Sequence, residues 1–280
     1  MISVRDILTI AQLTWVEARR RRVVLAALLG ALLLIAVFAM VAVSVGHAHA
    51  HQLALGLQRQ MQLQTLALAG LYAADFLIVA LAIMLPVDTL SGEISAGILQ
   101  TLVSKPIRRA DVVLGKSLAY WLMIVGYSAL VVGGILISMR VATGFVQHHV
   151  LPAFALLQME ALVLLSVTIA GGVFFTTITN GIVAFAFYTL AYIGGWIELV
   201  GTSFGNSTAR HIGIAVSLVS PTDALWRLAL HVLQPPVMAQ LALNPFSGGV
   251  APSPAMVWWG AGFVVVVFLV ALRGFEKKAL

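Results

Sequence analysis

The chain has 280 residues, of which 61% are hydrophobic and only 9% charged; a soluble globular protein carries roughly 25% charged residues, so a soluble protein does not fit. There is no cysteine, which removes disulfide frameworks, thiolate metal sites and thiol catalysis. The net charge of +6 reads as basic residues lining one face of a membrane rather than as a nucleic-acid surface.

Taken in chain order, residues 1–22 predict an amphipathic elbow helix in the cytoplasmic interface. Val4, Ile7, Leu8, Ala11 and Trp15 recur at helical spacing, while Arg5, Thr9, Gln12 and Arg20 fall largely on another face. Glu17 and Arg21 stand four apart and can pair. Six apolar runs then approach the length of about 20 residues that crosses a bilayer as a helix: 23–45, 66–87, 112–138, 153–175, 181–200 and 256–272. The first is expected to be a retained span, because its apolar run exceeds the roughly 7–15 residues of a signal core. The predicted fold is an all-α integral membrane protein forming a single transmembrane domain over 1–280.

Lysine and arginine set the expected orientation. With the N-terminus inside, the cytoplasmic side holds Arg5, Arg19, Arg20, Arg21, Arg22, Lys105, Arg108, Arg109, Lys116, Arg273, Lys277 and Lys278. The other side holds only Arg59, Arg140, Arg210 and Arg227. This bias places both termini in the cytoplasm and suits a bacterial inner membrane.

The loop 88–111 joins the second and third spans on that side. Ser91 or Thr89 could cap a short helix bearing an apolar stripe of Ile94, Ile98, Leu99 and Leu102. Pro106 cannot continue it, and Asp111 suits the first turn of the next helix. The stripe must meet either the membrane interface or a groove on a partner, and the residues alone leave both open.

The stretch Ser91-Gly92-Glu93, Gly97-Ile98-Leu99-Gln100-Thr101-Leu102, Ser104-Lys105-Pro106-Ile107-Arg108-Arg109 and Val113-Leu114-Gly115-Lys116 resembles the permease subunits of ABC-2 type transporters. Gly97-Ile98-Leu99 stands where that family commonly has Gly-Thr-Leu, and Ile107-Arg108-Arg109 where it has Ile-Ser-Arg. The resemblance implies a permease that pairs with a second copy and sits on separate ABC ATPase subunits, which hold ATP and Mg. It implies that 91–104 is the coupling helix, with Glu93 meeting a basic partner, Ile94, Ile98 and Leu99 filling a groove, and Gly97 permitting close approach. Arg108 and Arg109 then contact ATPase or lipid phosphate; ordinary positive-inside anchoring explains them equally. The sequence holds no G-x-x-x-x-G-K-[ST], so no nucleotide site and no cofactor are expected in this chain, and it is not expected to be an enzyme by itself.

Asp75 and Glu160 fall inside spans, where ionisable groups are costly and usually face a bundle interior or a polar path. They are candidates for a translocation route or for interhelical hydrogen bonds. Gly194 and Gly195 allow close helix approach, and the resemblance makes them candidates for the dimer interface. Asn180 and Gly181 are expected to mark a tight cytoplasmic turn. On the outer side, His47, His49 and His51 are weak metal candidates, and no metal site is expected.

The outer connection 201–255 predicts one interfacial or re-entrant helix. It starts at Ser220-Pro221-Thr222-Asp223, carries Asp223, Arg227 and His231 on one face, and ends at Pro235-Pro236. Its Pro-Thr-Asp and Arg pattern resembles the permeases of nitrous-oxide reductase maturation transporters. Three functions follow for weighing: an ATP-driven exporter permease, a permease that transmits force to a periplasmic partner without moving cargo, and an ion-coupled secondary transporter using Asp75 and Glu160.

Overall fold

A computed structural model describes residues 4–50, 56–95, 109–234 and 251–277. Among these the regular structure is helical: α1 (Val4–Ala18), α2 (Arg22–Ala50), α3 (Gly56–Met84), α4 (Thr89–Ser95), α5 (Arg109–Thr143), α6 (Val150–Phe174), α7 (Thr177–Ser203), α8 (Ser207–Val219), α9 (Thr222–Leu233) and α10 (Ala255–Lys277). Six of them, α2, α3, α5, α6, α7 and α10, are long and apolar enough to cross a membrane, as the hydropathy predicts. This is a multi-pass membrane protein. Each span runs several residues past its apolar run at one end or both, because helix geometry continues into flanking polar sequence until a turn residue stops it.

The bundle is held by small residues that receive large ones. Leu25, Leu29, Leu32 and Leu33 of α2 stay exposed, whereas Ala31 and Ala42 are fully buried. Ile35 of α2 seats at Gly134 of α5, where an added Cβ would lie 2.5 Å from the Ile35 Cδ1, and the Phe38 ring covers Gly70 of α3. Close approach of this kind is how helices gain packing when lipid supplies no hydrophobic drive between them. The elbow α1 crosses α5 at Gly115, where a Cβ would meet Ile10 and the Ile7 carbonyl at 2.8 Å. The centre of the bundle is filled by fully buried Leu68, Ile78, Tyr120, Ile124, Ile135 and Leu164.

Two local expectations are corrected. The turn between α6 and α7 is Phe175–Thr176, and Asn180 sits buried within the first turn of α7 rather than in the turn itself. Among the described residues, the connection after α7 holds two helices rather than the one expected. Asn206 starts the first of them, its Oδ1 accepting from the Ala209 N–H at 3.1 Å, the standard N-cap bond.

These two helices form a hairpin folded back into the bundle. Gly201 faces Ala209 and Arg210, Gly213 faces Glu198, and Gly194 faces Val216, so α8 descends antiparallel along α7. At the hairpin tip Ser220 Oγ donates to the Phe187 carbonyl at 3.1 Å. Phe187 is 16 residues from Ser203 at the end of α7, about 24 Å at the helical rise of 1.5 Å per residue. The hairpin therefore runs back along α7 over that length. Then α9 returns to the starting level, where the Leu233 carbonyl accepts from Gln64 Nε2 at 3.1 Å.

Candidate functional site

The turn after α3 and the start of α4 are pinned on every side. Asp88 pairs with Arg21, which also binds Glu17 at 2.7 Å. Thr89 Oγ1 donates to Tyr120 Oη on α5 at 2.7 Å, and the Ser91 and Thr177 hydroxyls lie 2.9 Å apart. Asn180 Nδ2 donates to the Val87 carbonyl at 3.0 Å and to the Thr168 carbonyl at 2.9 Å. Gly172 of α6 leaves room for Leu90. Neither Thr89 nor Ser91 acts as the expected cap; the first is spent on Tyr120, and the second also donates to the Val87 carbonyl at 3.2 Å. Partial burial works against the Arg21 charge, but the hydrogen bond with Glu17 and the nearby Asp88 carboxylate outweigh it, so its pKa is raised above the ordinary arginine value.

Of the residues expected to dock a partner, Glu93 and Ile94 lie on α4 and Arg109 opens α5, with their side chains outside the described part. Gly97, Ile98, Leu99 and Arg108 lie outside the described residues. The matching Gly115 has a clear role as the crossing point of α1. Asp111 stands in the first turn of α5 as expected.

Within the bundle, Arg227 is the hub of a buried ion-pair set. Its Nε donates to Asp223 Oδ2 at 2.8 Å and its Nη2 to Glu198 Oε2 at 2.7 Å. The first bond is the expected i,i+4 pair; Glu198 gives no sequence signal, because it comes from another helix. His231 lies one turn further along α9, half-buried. Gly194 and Gly195 are buried within the chain, against Val216 and Asp223 respectively, so the close approach they permit is made by the hairpin. Tyr72 meets Trp226 edge-on at 5.0 Å.

Asp75 on α3 and Glu160 on α6 are brought together, within interaction range of each other and of Asp223. Asp75 Oδ1 and both Glu160 oxygens find no hydrogen-bond donor among the described residues, while the two carboxyl groups lie close enough to share a hydrogen bond with each other.

At the hairpin end of the bundle, His47 is exposed on α2, His49 is on the same helix with its side chain outside the described part, and His51 lies outside the described residues. Helical backbone turns neighbours two apart to different faces, which removes the alternation that would gather His47 and His49. A recess of about 580 Å³ there is lined by Arg59, Gln64, Gln147, His148 and His149 among others. No group of three or more His, Asp or Glu among the described residues is arranged for a metal ion.

Residues 73–280, which include α4, the hairpin and the acidic pair, match the family model described as ABC-2 family transporter protein. The chain belongs to the ABC-2 family. No individual curated protein matches it. In this ABC-2 membrane subunit, α1 and α2 precede the matched stretch, and the pinned start of α4 occupies the segment where the sequence pattern is most specific.

Proposed function

We propose that this ABC-2 chain is the membrane-spanning permease of an ATP-driven exporter, paired with a second copy and powered by a separate ATPase that holds ATP and Mg. The ATPase seats residues 91–104, with Glu93 toward a basic partner and Ile94, Ile98 and Leu99 in a groove beside Gly97; Arg108 and Arg109 meet ATPase or lipid phosphate. Both termini then face the cytoplasm of a bacterial cell. The observation that carries this reading is the anchoring of α4: a helix only seven residues long is tied to α5, α6 and α7 and, through Asp88 and Arg21, to the elbow. Force applied to it reaches the whole bundle. The chain should co-purify with a soluble ATPase, and Glu93→Arg combined with Ile98→Arg should abolish that association. Intact binding with coupled ATP hydrolysis in the double variant would sink the docking assignment.

A second reading is a permease that moves a periplasmic partner without cargo. It is favoured by the buried pairing of Glu198 with Arg227, which makes the hairpin move with α7. Spin-label distances across the hairpin during ATP turnover, without any cargo present, separate the two: displacement supports force transmission, and a cargo requirement supports export. A secondary transporter leaves the anchored loop without a role.

A further inference from the structure

Asp75 and Glu160 form the most deeply buried pair of acids in the described chain that no cation compensates. They are 4% and 1% exposed. Glu160 is ten residues from the start of α6, about 15 Å along the helix, which is half the roughly 30 Å of a hydrocarbon core. Tyr72 of α3, Tyr188 of α7 and Asp223 of α9 stand around them. Arg227 is the base paired with Asp223, and its Nε and Nη2 are taken by Asp223 and Glu198. The set thus holds four carboxyl groups against one guanidinium.

A second observation is independent of that charge count. Three of the pair's four oxygens find no donor among the described residues. Ionised carboxylates only accept hydrogen bonds; a protonated one gains an O–H donor. Two facing carboxylates are therefore mutually repulsive and unsatisfied, whereas one added hydrogen supplies both the missing donor and the charge relief. An uncompensated buried carboxylate is strongly disfavoured. No third imidazole or carboxylate completes a metal ligand set with them among the described residues.

We propose that Asp75 and Glu160 form a proton-binding site inside the membrane, in which one carboxyl donates its hydrogen to an oxygen of the other. The site adjoins the hairpin tip through Asp223, so displacement of the hairpin changes the field and the water access at the pair. Proton occupancy is thereby linked to hairpin position. This does not rest on ATPase docking; it requires only the bundle and the hairpin.

The test uses the full chain in lipid nanodiscs near neutral pH. Infrared spectroscopy should show a protonated-carboxyl C=O stretch that shifts in deuterated buffer, is lost or moved in both Asp75→Asn and Glu160→Gln, and is unchanged by sodium or potassium chloride. Asp75→Asn brings an N–H donor of the kind the pair lacks and should unfold within a few degrees of the parent. Should an amide variant fail to fold, dicyclohexylcarbodiimide labelling of the unaltered chain is read by peptide mass spectrometry, since the reagent adds to protonated buried carboxyls. An adduct on either residue that fades as pH rises supports the site. Protection by either salt, or a carbonyl band indifferent to both variants, overturns it.

Discussion

Arg227 Nη2 lies 2.7 Å from Glu198 Oε2, joining a returning hairpin helix to a spanning helix. Both side chains are buried, and Asp223 holds the other edge of the same guanidinium. Taking away one partner of such a set strands the rest in a low dielectric. Arg227→Met should therefore destabilise the fold by about 3–5 kcal/mol, the range for breaking a buried pair. Thermal unfolding in detergent measures it. Adding Glu198→Gln to Arg227→Met should recover part of the loss, and a strictly additive result would show that the two do not interact.

Gly195 and Gly194 should not tolerate a methyl group. A Cβ at either would collide with Asp223 or Val216, and overpacking of this kind costs about 1–3 kcal/mol. Gly133 has nothing within 4 Å of the same position, so Gly133→Ala should be neutral or stabilise by up to about 1 kcal/mol through helix propensity. Equal unfolding temperatures for the Gly195 and Gly133 variants would contradict the hairpin packing.

Asn180 donates to two carbonyls on different elements. Asn180→Asp keeps its shape but replaces the donor nitrogen with an acceptor oxygen facing both. A loss of about 2–3 kcal/mol is expected from the two unsatisfied groups. Asn180→Ala should be milder, because it leaves room instead of an opposed charge.

The Arg21 pairs are partly exposed, with the side chains of Glu17 and Asp88 at 57% and 46%. Asp88→Asn should change stability by less than about 1 kcal/mol. Its effect should lie in transmission: ATPase activity stimulated by the permease should fall and become less sensitive to salt, while the unfolding temperature holds. Unchanged coupling would show that the elbow does not take part.

Much of the fold is legible in the sequence because lipid imposes one rule. A backbone in hydrocarbon must satisfy its own hydrogen bonds, so each long apolar run in 23–45, 66–87 and the others becomes a helix whatever it packs against. The Asp223–Arg227 pair is likewise legible, since i,i+4 spacing fixes it locally. Less was readable at the sites. The α8 helix was hidden by its mixed composition, with Asn206 as its only start signal. Asn180 looked like a turn residue because its type favours turns, but its partners at Val87 and Thr168 keep it inside α7.

The solvent, the spans and the motif loop can be read from the chain alone, because they depend on composition and on interactions a few residues apart. Helix packing, by contrast, brings Asp75 to Glu160, places Glu198 in the Arg227 set, and seats the hairpin at Gly194 and Gly195. Those relationships join residues 85, 29, 22 and 28 positions apart in the chain, and helical spacing carries no information over such distances. Close packing of one helix face against another is what brings them together.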